Sequence, residues 1–88
     1  MKRLILSCFF VVAASNAWAQ ECTVDDPTGT PLNVRERPNG RIIGALYNGA
    51  TVYVRDLTID AAGQRWAYIV PLNAGKSGWV FRPYLDCK

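Results

Sequence analysis

Short β-type runs broken by turn residues constrain this chain most. No segment after residue 20 carries a helix-length apolar period. Thr51 to Arg55 is the clearest run. It is β-branched and alternating, with Val52 and Val54 on one face and Tyr53 and Arg55 on the other. Arg65 to Val70 repeats the pattern, setting Ala67 and Ile69 against Trp66, Tyr68 and Val70. Leu32 to Arg37, Arg41 to Leu46 and Gly78 to Arg82 read as further strands. Pro38-Asn39-Gly40 and Asn48-Gly49 read as turns, because asparagine and glycine tolerate positive φ. A polar loop is expected after Arg55 with Asp60 to Gln64 at its tip, another over Pro71 to Ser77, and one tight helical turn at Pro83-Tyr84-Leu85. About five short antiparallel strands in so few residues predict an all-β fold, a small barrel rather than a sandwich.

The first residues read as an export signal. Lys2 and Arg3 precede an apolar run from Leu4 to Ala14, and Ala17-Trp18-Ala19 supplies a small-x-small cleavage site. The run is too short to span a bilayer, and no later stretch is longer. A lipoprotein anchor at Cys8 is disfavoured, since too few apolar residues precede it. Cleavage after Ala19 leaves 69 residues, divided into an arm over 20–31 and a barrel over 32–88. Periplasm is the expected destination, with full secretion the alternative. Losing Lys2 and Arg3 leaves eight basic and seven acidic residues, a net charge of +1. Arg35, Arg37 and Arg41 are interrupted by Glu36 across a turn, so they read as solvated edge charges rather than a nucleic-acid footprint.

Two cysteines survive cleavage, Cys22 and Cys87. In a small exported domain such a pair reads as a disulfide, which brings the termini together. A redox-active pair would more usually lie close in sequence as C-x-x-C. No histidine is present, which removes the commonest general base and metal ligand and excludes Ser-His-Asp and Cys-His arrangements. Asp25, Asp26, Asp56 and Asp60 lack calcium-loop spacing and read as solvated loop charges. No enzyme, cofactor or metal site is expected.

Leu32-Asn33-Val34-Arg35, Pro38, Ile43-Gly44, Gly49 to Val52, Trp66, Gly78-Trp79-Val80 and Tyr84-Leu85 occur in an order that resembles the bacterial SH3 (SH3b) domain family. The resemblance covers about residues 31 to 86. It implies an SH3-like barrel that binds a ligand, in many members a module that targets cell-wall hydrolases to their substrate. Here the segment after Pro38 is shorter than is common and the one from Leu57 to Arg65 is longer, and a stand-alone module without a catalytic domain is expected.

Pairing of the two clearest strands would place Tyr53, Arg55, Trp66 and Tyr68 on one outer face, with Trp79 and Phe81 following the same alternation. Exposed aromatics on a small soluble domain suit a binding surface. Tyr53 and Tyr68 are expected to be exposed, Trp79 structural, and Trp66 either. Tyr47, at a barrel rim, and Arg35 complete the candidate ligand site. Asn33 is expected to brace a turn. The favoured ligand is peptidoglycan or its stem peptides. A periplasmic protein–protein adaptor is the alternative, and a secreted inhibitor or effector presenting residues 57–65 is a third class. Neither nucleic acid nor, after cleavage, membrane is an expected partner, and the protein is expected to act as a monomer.

Overall fold

The computed structural model describes residues 20–87, and the expected signal segment with Ala17 and Ala19 lies outside them. Seven strands form one sheet: β1 (Gln20–Val24), β2 (Leu32–Arg35), β3 (Ile42–Leu46), β4 (Thr51–Ile59), β5 (Arg65–Pro71), β6 (Gly78–Phe81) and β7 (Leu85–Cys87). A 3-10 turn over Arg82–Tyr84 joins β6 to β7. The spatial order is β3-β2-β6-β5-β4-β1-β7, and every pairing is antiparallel.

The fold is all-β as the residue pattern predicts, with two more strands than expected. β1 arises in the segment read as an arm. Its five residues contain no proline and alternate, burying Cys22 and Val24 and exposing Glu21 and Thr23. They fill the slot between β4 and β7, with Cys22 opposite both Val52 and Cys87. Pro27, Gly29 and Pro31 confine the irregular part to the residues after Val24. β7 is only three residues long and has no pattern of its own. Its pairing to β1 makes it a strand.

One hydrophobic cluster holds the sheet. It takes Cys22 and Val24 from β1, Leu32 and Val34 from β2, Leu46 from β3, Val52 and Val54 from β4, Ala67 and Ile69 from β5, Val80 from β6 and Leu85 from β7. Leu46 and Leu85 come from strands at opposite ends of the sheet order. A flat sheet would hold those edges far apart, so the sheet must curl around its inner face. Gly78 allows the curl at one crossing. A Cβ there would come within 2.6 Å of Val34 Cγ1 and 2.7 Å of the Arg35 carbonyl oxygen. The Gly-Trp-Val element is therefore a packing requirement between β6 and β2.

β4 runs to Ile59, well past the end its alternation suggests. A register shift between Val54 and Asp56 leaves Arg55 without a partner on β5, so Arg55 does not join the outer row where it was expected. Beyond the bulge Leu57, Thr58 and Ile59 pair with Ala67, Trp66 and Arg65, so most of the expected loop is a hairpin. The remaining tip closes with Gly63 N–H on the Asp60 carbonyl, and Gly63 takes φ 83°.

Candidate functional site

The outer face of β5 and β6 carries a ladder of rings. Trp66 lies opposite Phe81, and Tyr68 opposite Trp79. Both pairs meet edge to face, at centroid separations of 5.6 and 5.5 Å. Tyr84, from the 3-10 turn, adds a third edge contact to Phe81 at 5.0 Å. Directly opposed residues of antiparallel strands share a face, so the alternation that fills the core also builds this surface.

Beside it runs a groove of about 380 Å³. Trp66, Phe81 and Tyr84 give it aromatic surface. Leu32, Asn33 and Arg35 from β2 line it, with Asp26, Thr28, Thr30 and Pro31 from the segment before β2, and Asn39 and Gln64 from two turns.

Two polar clamps fix its walls. At one end Asp60 gathers the tips of two hairpins. Its carboxylate accepts from the Trp66 indole N–H at 2.9 Å, the Asn39 side-chain amide at 2.7 Å and the backbone amides of Ala62 and Gln64 at 2.9 Å. The Trp66 hydrogen bond foremost, then that of the Gln64 amide, hold the Asp60 carboxyl below its ordinary value of 3.8, against a desolvation effect of opposite sign. Asn39 offers its amide from a backbone with φ 62°, in a turn that closes Gly40 N–H onto the Arg37 carbonyl with Pro38 between them. That is the arrangement of a type II turn. The Arg35 guanidinium donates to the Gly40 carbonyl at 2.7 Å and ties the same turn to β2.

At the other end Asp26 is buried, at 6% exposure. Its Oδ1 accepts from the amide of Thr28 at 2.8 Å and from the Thr28 hydroxyl at 2.6 Å. Asn48 holds its backbone from both sides, accepting from Asp26 N–H at 2.7 Å and donating to Asp26 O at 3.2 Å. The amide of Asp25 donates to the Tyr84 carbonyl at 2.9 Å, which sets this end beside Tyr84.

Of the five candidate ligand residues, the groove brings together Trp66 and Arg35. Trp66 is 5% exposed: its ring is walled by Phe81 and its N–H is taken by Asp60, so it forms the floor rather than an open platform. Tyr68 is half-buried because Trp79 packs on it, and Trp79 lies opposite Arg35 in the β2–β6 pairing. Tyr53 is half-buried on the same outer side, between Glu21 and Val70. Tyr47 stands 76% exposed beside the Asn48-Gly49 turn, away from the groove lining. Both tyrosines expected to be exposed are thus partly covered by neighbouring strands.

Three expectations about polar residues change. Asn33 braces no turn; it is exposed on β2 and lines the groove, while Arg35 and Asn39 do the bracing. Asp60 is an organising acceptor, not a bystander charge. Asp26 is buried, not solvated. The Asp-x-Thr spacing at 26–28 was the available signal for Asp26, since an aspartate that bonds the amide two residues on forms an Asx turn. Phe81 and Tyr84 enter the groove lining through the register of β6 and the 3-10 turn. Among the described residues, no three His, Cys, Asp or Glu side chains gather as metal ligands.

No curated protein and no solved structure matches the chain significantly. The bacterial SH3 domain family matches residues 30–86, from the strand that opens the groove to the strand that follows the 3-10 turn. This family consists of binding modules, generally non-catalytic and often directed at cell walls. A curled antiparallel sheet, an aromatic groove and a match over most of its length agree, and the chain belongs to the bacterial SH3 domain family.

Proposed function

We propose that this protein is an exported, non-catalytic module that binds peptidoglycan through its stem peptides, and that the groove over Trp66, Phe81 and Tyr84 is where it does so. The observation that carries the reading is the groove itself: aromatic surface flanked by ordered polar groups, on a family of binding modules. The disulfide between Cys22 and Cys87 suits an extracellular or envelope location, and the basic, apolar start of the sequence suits export. The test is co-sedimentation of the purified protein with isolated cell-wall sacculi, beside Asn33→Trp. Asn33 is exposed on the groove wall, so an indole there blocks the groove without entering the core. Pelleting by the wild type that disappears in a folded Asn33→Trp supports the reading. No pelleting by the wild type overturns it.

A protein–protein adaptor is the second reading, and one observation favours it. Leu57 and Ile59 are 57% and 66% exposed on the distal part of β4, beyond Val54, the last β4 residue to pair with β1 among the described residues. An exposed apolar strand edge of this kind suits β-augmentation by a partner. Crosslinking in cells to one stoichiometric protein, insensitive to cell-wall digestion and lost on Leu57→Lys/Ile59→Lys, would favour this reading. Crosslinks unchanged by those substitutions would remove it.

A further inference from the structure

The groove is lined by two charges of opposite sign, and neither has an ion-pair partner among the described residues. Asp26 is nine-tenths buried, yet the hydrogen bonds to its carboxylate fall on Oδ1 alone, both from Thr28. A buried carboxylate with one unpaired oxygen is unfavourable in a finished structure and favourable in one that awaits a cation. Asn48 holds the Asp26 backbone at both its amide and its carbonyl, so the side chain cannot easily swing out to water. Arg35 is half-buried, and one nitrogen of its guanidinium is committed to the Gly40 carbonyl. Its remaining N–H groups are available to an acceptor in the groove.

The two charges mark opposite ends. Asp26 adjoins Tyr84 through the Asp25 amide, and Tyr84 touches Phe81, which touches Trp66. Trp66 is linked through Asp60 to Asn39, in the turn that Arg35 holds. Between the ends are two ring-to-ring steps of 5.0 and 5.6 Å. An extended peptide rises about 3.3 Å per residue, so this floor suits on the order of three residues.

We infer that the groove reads a short extended peptide by its two charges, an ammonium group against Asp26 and a carboxylate against Arg35, with the intervening backbone lying over Phe81 and Trp66. This deepens the peptidoglycan reading and rests on it: a stem peptide with a free side-chain amine and a terminal carboxylate offers both groups.

The experiment has two arms. In the first, the Trp66 indole N–H resonance of the purified protein is followed during titration with trialanine, N-acetyl-trialanine and trialanine amide. The free peptide is expected to bind about tenfold more tightly than either blocked form, the scale of one hydrogen bond to a charged group. Asp26→Asn, which keeps the acceptor for Thr28, should bind free and acetylated peptide alike. Arg35→Gln should bind acid and amide alike. In the second arm, sacculi are compared before and after acetylation of their free amines, which requires no variant to fold. Loss of pelleting on acetylation supports the inference. Equal pelleting of native and acetylated sacculi, with no preference among the three peptides, overturns it and leaves the peptidoglycan reading intact. Discrimination among peptides without any pelleting keeps the charge-reading groove and overturns the peptidoglycan reading alone.

Discussion

The indole N–H of Trp66 donates to Asp60 Oδ2 at 2.9 Å across a single hairpin turn. Asp60 takes the Asn39 amide on the same oxygen, from a turn 21 residues away in sequence. One half-buried residue, through its carboxylate, therefore joins the β4–β5 hairpin, the β2–β3 turn and the aromatic floor of the groove. Loops of this kind are ordinarily the most mobile parts of a small domain. Here the tips are tied to each other, and the wall they make inherits the rigidity of the sheet.

That clamp has a pH signature. The Asp60 carboxyl is held below its ordinary 3.8, chiefly by the Trp66 hydrogen bond. A group depressed in the folded state stabilises fully above its unfolded value and loses that contribution as pH falls through the folded one. Wild type should therefore melt above Asp60→Asn at neutral pH, and the gap should close as the pH drops through 3.8 and below. Melting curves at several pH values read this directly. A gap that is constant with pH would show that the ionised form of Asp60 contributes nothing.

Gly78→Ala should destabilise the fold by about 1–3 kcal/mol, the range for forcing extra volume into a packed site. The obstacle is the Arg35 carbonyl at 2.7 Å, a backbone atom that cannot rotate aside as a side-chain tip would. Gly29→Ala is a useful contrast, because no atom lies within 4 Å of a Cβ there and only the positive φ of 81° opposes it. Urea denaturation of both variants should give the larger loss at Gly78.

Asn48→Ala should loosen the wall that carries Asp26. Asn48 makes two hydrogen bonds to the Asp26 backbone, at 2.7 and 3.2 Å, and its loss leaves a part-buried amide and carbonyl unpaired. A cost of about 1–3 kcal/mol follows from leaving buried groups unsatisfied. Amide exchange should rise over the 25–31 segment and stay unchanged at Ile69, which is fully buried in the central sheet. Equal acceleration at both places would mean that Asn48 supports the whole fold rather than this wall.

The core was legible because it obeys a period of two. Val52, Val54, Ala67, Ile69 and Val80 all point inward as alternation requires. The outer-face aromatic rows were legible for the same reason. What escaped was set by pairing and by side-chain hydrogen bonds, which have no period. The bulge at Arg55 reset the face of everything after it and turned an expected loop into a hairpin. β1 is a strand because it pairs with β4 and β7, and β7 because it pairs with β1. Asp26 and Asp60 looked like interchangeable loop charges. Their different roles follow from a threonine two residues on in one case, and from an indole and an asparagine reaching in from neighbouring strands and turns in the other.

The disulfide joins the two strands that the alternation pattern did not supply. Cys22 and Cys87 face each other across β1 and β7 with Cα atoms 4.3 Å apart, and they close a sequence separation of 65. Constraining the unfolded chain over so long a loop is worth about 4 kcal/mol in the chain-entropy model. A core this small supplies only about 3–5 kcal/mol by itself. Cys22→Ala/Cys87→Ala should therefore lower the melting temperature by about 20 °C, at roughly 4–8 °C per kcal/mol for a domain of this length. Reduction with dithiothreitol should match the double substitution. The effect should also be local before it is global. Among the described residues β7 pairs only with β1, and Tyr84, immediately before it, receives the Asp25 amide at the Asp26 end of the groove. Below the new melting point, the reduced protein should therefore show faster amide exchange at Asp25 and Leu85 than at Ala67 or Val80. Identical melting curves for oxidised and reduced protein would show instead that β1 and β7 are held by their pairing and packing alone.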